Sequence, residues 1–153
     1  MNRVETRLAE LGLALPSPVP PIATYVPSVI AGGLLHISGQ VSVDANGGIK
    51  GVVGEDVSLE QAQDAARLCA LNLVAQMKSA CGGDLSKVKR IVKLGGFVQA
   101  GPEFFDIPKV INGASDMMVE LFGDEGRHAR SAVGVYRLPL NFAVEIDAIV
   151  ELG

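Results

Sequence analysis

Between Ser58 and Gly83 the apolar residues Ala62, Ala66, Cys69, Leu73 and Met77 recur at intervals of three and four. That spacing predicts a helix with one buried stripe. Ser58 followed by Gln61 supplies a capping box at its start, and Gly82-Gly83 ends it. A second helix is predicted from about residue 107 to residue 122, with Val110, Ile111, Ala114, Met117, Met118 and Leu121 as its core stripe. At the N-terminus Val4, Leu8 and Leu11 oppose Arg3, Glu5, Arg7 and Glu10, the pattern of a short amphipathic helix.

Elsewhere the period falls to two. A strand entered from Tyr25 turns at Gly32-Gly33 into LLHISGQVSV. Strict alternation there puts His36, Ser38, Gln40 and Ser42 on one face, and Ile37, Gly39, Val41 and Val43 on the other. Asn46-Gly47-Gly48 predicts a turn into a short strand at residues 49–53. Further strands are expected at 88–98, 131–137 and 142–150, the last two joined through Leu138-Pro139-Leu140-Asn141. Residues 15–28 hold five prolines and must be extended.

The order of elements predicts an α+β domain: one mixed sheet of about six strands with two long helices on one face. Residues 1–21 read as a short helix and proline-rich lead-in, and residues 22–153 as the domain proper. The second sheet face has no helix to cover it. Its apolar residues need a partner, which points to a homo-oligomer.

Composition narrows the function classes. Hydrophobic residues make up 48% of the 153, yet no uninterrupted apolar run is long enough for a membrane span. A net charge of −4 and the lack of a basic stripe argue against a nucleic-acid partner. Lys87, Lys89, Arg90 and Lys93 read as a solvated strand entrance. Cys69 and Cys81 match no zinc or redox spacing, and suit small buried positions in a reducing, cytoplasmic setting. The two histidines, His36 and His128, are too isolated for a metal site. GxSxG, GxxxxGK[ST] and HExxH motifs are all absent, so neither metal nor cofactor is expected.

The conspicuous charge is Arg130 in HARSAVGV, at the entrance to an apolar strand. A guanidinium there must reach water or find an anion, since burying it alone costs several kcal/mol. Glu145 and Asp147 share one face of the last strand, expected next to the strand that Arg130 introduces, and offer themselves as its partner. Two readings stand: a structural ion pair, or a guanidinium fork for a substrate carboxylate with an acid/base carboxylate nearby. Tyr25, Ser38 and Gln40 can add hydroxyl and amide groups to such a pocket.

Tyr25, the strand HISGQVSV, Asn112 and the segment HARSAVGVYRLPLNFAVEIDAIV together resemble the RidA/YjgF family over roughly residues 22–151. Its members have been called enamine/imine deaminases, and also translation inhibitors or endoribonucleases. The resemblance implies a chorismate-mutase-like fold, a homotrimer and a ligand cleft at each subunit interface. It implies that Arg130 grips a substrate carboxylate and that Glu145 positions or activates water. It further implies binding roles for Tyr25, Ser38, Gly39 and Asn112, with backbone near Gly39 and Ala132 completing a cradle for a small carboxylate ligand. The implied reaction is cofactor-free hydrolysis of a 2-imino acid to a 2-keto acid and ammonia. A binding module without turnover and a ribonuclease are the alternatives. Four departures mark a divergent subfamily: Ala132 where the family commonly has cysteine, His128 where proline commonly precedes the A-R-S motif, Ser115 where an aromatic is often found, and a helix and proline-rich lead-in over residues 1–21 that are longer than in the archetype.

Overall fold

A computed structural model describes residues 2–153. Three α-helices form: α1 (Arg3–Glu10), α2 (Leu59–Ala80) and α3 (Ile107–Phe122). Five strands, β1 (Ser28–Ala31), β2 (Leu34–Val41), β3 (Val88–Gln99), β4 (Ala129–Val135) and β5 (Val144–Leu152), make one sheet in the order β1-β2-β5-β3-β4. β3 and β4 are parallel with α3 as their crossover, and the other pairs are antiparallel. The α+β class with two long helices on a mixed sheet is as expected.

Helix α2 starts where the capping box requires. Ser58 Oγ accepts from the Gln61 amide at 3.1 Å, and Gln61 Oε1 accepts from the Ser58 amide at 2.9 Å. Its stripe of Ala62, Ala66, Cys69, Leu73 and Met77 is wholly buried, as are Val110, Ile111, Ala114 and Met118 of α3. Both stripes pack on Leu94, Val98, Val144, Ile146 and Val150 of the sheet, in one continuous core. Truncating a side chain such as Leu73 to alanine there costs about 2–5 kcal/mol. Cys69 lies in this core and donates its thiol to the Val144 carbonyl at 3.4 Å; burial pushes its pKa far up. The amphipathic α1 buries Val4 and Leu8 in the same core, and Glu5 pairs with Lys78 of α2 at 2.8 Å.

The proline-rich segment is not a free linker. Gln76 of α2, 3% exposed, donates to the Val19 carbonyl at 2.9 Å, and Ser38 Oγ donates to the Val26 carbonyl at 2.7 Å. The lead-in is thereby laid along the end of β2.

Three expectations are corrected. Residues 49–53 form no strand, only isolated bridges from Lys50 to Phe142 and from Val53 to Val57 and Ala100. Gly51 and Gly54 take φ of 124° and 91°, and the Val52 amide turns to Asp56 Oδ1, so the chain curls instead of extending. The sheet therefore has five strands.

The alternation in β2 breaks at a bulge. Ile37 pairs with Ala148 but Gln40 pairs with Ile146, so three residues of β2 match two of β5. The extra residue reverses the faces beyond it. His36 lies on the sheet's helix-free face opposite Ile149, whereas Gln40 and Ser42 are buried on the helix side.

Finally, β4 is not adjacent to β5, because β3 lies between them. An ion pair between neighbouring strands is ruled out by this order.

Candidate functional site

Arg130 pairs with Leu94, and Leu94 with Ala148, so Arg130 projects to the helix side of edge strand β4. There it runs along one face of α3, which carries Pro108, Asn112 and Ser115 at helical spacing. Arg130 Nη1 donates to Asn112 Oδ1 at 2.9 Å and to Ser115 Oγ at 3.1 Å, and Nη2 donates to the Pro108 carbonyl at 3.1 Å. All three acceptors are neutral. None of the ion pairs among the described residues includes Arg130. A guanidinium has five N–H donors. Nε–H and one Nη2–H are left without an acceptor among the described residues, the number a carboxylate takes in a bidentate contact.

His128 completes this half of the site in a shallow groove shared with Asn112, Ser115, Asp116, Arg127 and Arg130. Its Nδ1 lies 2.6 Å from the Gly126 carbonyl and its Nε2 lies 2.8 Å from Ser115 Oγ. Burial holds its pKa below the usual histidine range; the Gly126 hydrogen bond opposes this and the Arg130 charge adds to it.

Glu145 belongs to a second, separate half. It pairs with Phe97 and Val41 on the helix-free face of the sheet. Its carboxylate lies over Gly39, where a Cβ would collide with Glu145 Oε2. A side chain at Gly39 would therefore have to displace the Glu145 carboxylate from this seat. Partial burial, and then the neighbouring Asp147 charge, push the Glu145 pKa up. Burial also raises Asp147, opposed by a Gly95 backbone hydrogen bond and by Lys93.

A cleft of about 200 Å³ opens beside Glu145, bounded by Tyr25, Gly39, Phe142 and the lead-in residues Pro20, Pro21 and Ile22. The lining is mostly apolar with one carboxylate, which suits a small ligand with a short aliphatic portion. Gln40 also borders it. Its Nε2 donates to the Ser38 carbonyl at 3.0 Å, while its buried Oε1 has no partner among the described residues.

The far wall is Leu140, which with Asn141 adopts positive φ (56° and 65°). Such a conformation is strained for leucine. Fully buried Gln99 holds it: Oε1 accepts from the Leu138 amide at 2.7 Å, and Nε2 donates to Asn141 Oδ1 at 2.8 Å and to the Gly51 carbonyl at 2.9 Å.

The expected site residues thus fall into two groups. Arg130 and Asn112 meet on α3, with Asn112 holding the guanidinium. Tyr25, Gly39 and Glu145 meet at the cleft, while Ser38 ties the lead-in to β2. Ala132, opposite Gly96, faces the helix side and packs against the core. Sequence reasoning missed Gln99 and the contribution of Ser115 and His128 beside Arg130. A glutamine in a strand otherwise rich in apolar residues was the only signal for Gln99. Among the described residues, no three His, Cys, Asp or Glu side chains converge as a metal site requires. Among the described residues, likewise, no helix is long and apolar enough to cross a membrane.

Comparison with known proteins gives one consistent result. Residues 5–152 match a family profile described as "YjgF/chorismate_mutase-like, putative endoribonuclease". The chain is 48% identical to Protein TCP17 of Trypanosoma cruzi over 99% of its own length and 96% of that protein's. It is 30% identical to a 2-iminobutanoate/2-iminopropanoate deaminase of Dermatophagoides farinae, over 85% of this chain and 87% of the relative. Among solved structures it resembles Atu1372 of Agrobacterium tumefaciens, a protein of unknown function, with 50% identity and a TM-score of 0.92 over 98% of this chain and 92% of that one.

Proposed function

Since the chain belongs to the YjgF/chorismate-mutase-like family, we propose that it hydrolyses small 2-imino acids, the tautomers of enamines such as 2-aminoacrylate, to 2-keto acids and ammonia. The observation that carries this reading is the state of Arg130: fixed by three neutral acceptors, unpaired with any carboxylate of its own chain, and left with two donors. A protein that needed only to neutralise Arg130 would supply an acid. This one supplies a holder instead. The 30% identical deaminase supports the choice of substrate class.

Because Arg130 and Glu145 lie on opposite faces, the reaction needs two copies of the chain: Arg130 of one and the partner subunit's Glu145. Exposed apolar side chains supply material for such an interface, among them Val29 and Val133 on the helix-free face and Ile22 and Leu140 around the cleft. A homotrimer with clefts between its subunits is the assembly in which we place it.

In the reaction Arg130 takes the substrate carboxylate side-on and fixes the plane of the imine. Asn112 keeps the guanidinium from turning. The Glu145 carboxylate accepts a proton from water as the water oxygen bonds to the imine carbon. The same proton passes to nitrogen, giving a carbinolamine. Glu145 then takes the hydroxyl proton and hands it to the nitrogen as well, so that the carbon–nitrogen bond breaks while the carbonyl forms, and ammonia leaves behind a keto acid. A base whose pKa is raised toward neutrality is better matched to this two-way transfer than an ordinary carboxylate. The apolar cleft wall receives the substrate's alkyl group.

The test is keto-acid formation from freshly generated 2-iminobutyrate. The purified protein should accelerate it, and Arg130→Ala should not. Arg130→Lys should lose about 30- to 100-fold in kcat/KM, since lysine cannot reproduce the planar fork. No acceleration over Arg130→Ala, with 2-ketobutyrate still bound in calorimetry, would replace hydrolysis by ligand sensing.

A further inference from the structure

We propose that Ser115 and His128 are positioning residues for Arg130: a neutral His128 accepts a hydrogen bond from the Ser115 hydroxyl, which fixes an oxygen lone pair of Ser115 on the guanidinium. This rests on the reading of Arg130 as the carboxylate clamp. It adds residues and a protonation state that this reading does not require.

Each step follows from donor and acceptor chemistry. The Gly126 carbonyl can only accept, so the His128 nitrogen 2.6 Å away, Nδ1, carries the hydrogen. In the neutral ring Nε2 is then an acceptor. Ser115 Oγ, 2.8 Å from Nε2, must point its hydrogen there. With its hydrogen committed, the oxygen presents lone pairs to Arg130 Nη1 at 3.1 Å. The chain of donation runs from Arg130 to Ser115 to His128 to Gly126, and every rotor in it has one setting. Asn112 and Pro108 take two further guanidinium hydrogens, so the two donors left over keep a constant direction.

Protonating His128 would reverse the middle of this chain. Nε2–H would then donate to Ser115 Oγ, the hydroxyl hydrogen would have to leave, and a second positive charge would stand one hydroxyl away from Arg130. Most of the other charges around His128 are cationic or already paired. Arg127, on its own segment, pairs with Asp124 at 3.6 Å, and Glu125 of the same turn pairs with Arg3 at 3.6 Å. Arg90 of β3 donates to the Arg127 carbonyl at 2.8 Å, and Lys93 pairs in register with Ala129. Asp116 of α3 borders the groove as its one acid. Burial and the Arg130 charge both favour the neutral ring near pH 7.

The experiment joins nitrogen-15 NMR to kinetics in the full-length protein. The His128 ring should show the Nδ1–H tautomer at pH 7, and Arg130 Nε should be ordered in the native protein but mobile in Ser115→Ala. With 2-iminobutyrate, Ser115→Ala should raise KM about 10-fold and change kcat less than about twofold. Ser115→Thr, which keeps the hydroxyl, should restore it. Native KM should rise as the pH falls through the His128 titration, and this limb should vanish in His128→Gln, whose side-chain carbonyl still accepts from Ser115. An Nε2–H tautomer, an Arg130 order unaffected by Ser115→Ala, or an acid limb that survives in His128→Gln would each overturn the proposal. Failure of imine turnover alone would count against the deaminase reading. In that case the NMR results still decide this one.

Discussion

Arg130 and Glu145 project from opposite faces of one sheet, and β3 lies between the strands that carry them. No rotamer change within a single chain brings a guanidinium and a carboxylate together through a hydrogen-bonded sheet. If the two act on one substrate, they come from different subunits, and activity becomes a property of the assembly.

Complementation measures this. Arg130→Ala and Glu145→Gln should each be inactive as pure assemblies. Refolded together in equal amounts, they should regain activity at roughly a quarter of the sites, those pairing an intact Arg130 with an intact Glu145. A mixture as inactive as its components would place both residues in one chain's site or outside catalysis. Light scattering on the native protein should return three times the chain mass.

Glu145 should carry a stability cost that the reaction explains. Burial and Asp147 raise its pKa, so at neutral pH the folded state holds a carboxylate it would rather protonate. The folded state binds more protons than the unfolded one, so the cost sets in as the pH rises past the unfolded value of about 4.5 and is complete above the raised folded value. Glu145→Gln should therefore abolish turnover and raise Tm at pH 7, by no more than about 2–4 °C given its partial exposure. Below pH 4 the Tm difference should vanish in thermal melts.

Gly39→Ala tests the contact that seats this carboxylate. The added methyl must displace the Glu145 side chain, since the alternative is to push the central strands β2 and β5 away from each other. We expect kcat to fall about 10-fold or more while the circular dichroism spectrum stays native. Unchanged kcat would show that the position of the carboxylate over Gly39 is irrelevant to turnover.

Gln99 should be a stability residue. Gln99→Leu has a similar volume but leaves the Leu138 amide, Asn141 Oδ1 and the Gly51 carbonyl without its amide. A loss of about 2–4 kcal/mol in denaturant unfolding is expected. Leu140, whose positive φ these bonds maintain, should accept glycine with a gain of up to about 1 kcal/mol.

The helices were legible in the chain because their signals are local. Ser58 and Gln61 cap α2, and the stripe from Ala62 to Met77 buries one face, whatever lies beyond. The same holds for the α+β class, for the face of Val144, Ile146, Ala148 and Val150, and for Arg130 as a charge in search of an anion. The tertiary structure decided what depends on pairing. One extra residue in β2 moved Gln40 and Ser42 to the helix side, a change that alternation cannot register because both registers satisfy it locally. The insertion of β3 between β4 and β5 separated Arg130 from Glu145, since strand order is set by packing at long range and not by order along the chain. The meeting of Ser115 and His128 beside Arg130 likewise came only with the docking of α3 on β4, which fixed the direction of a hydroxyl that sequence leaves free to turn.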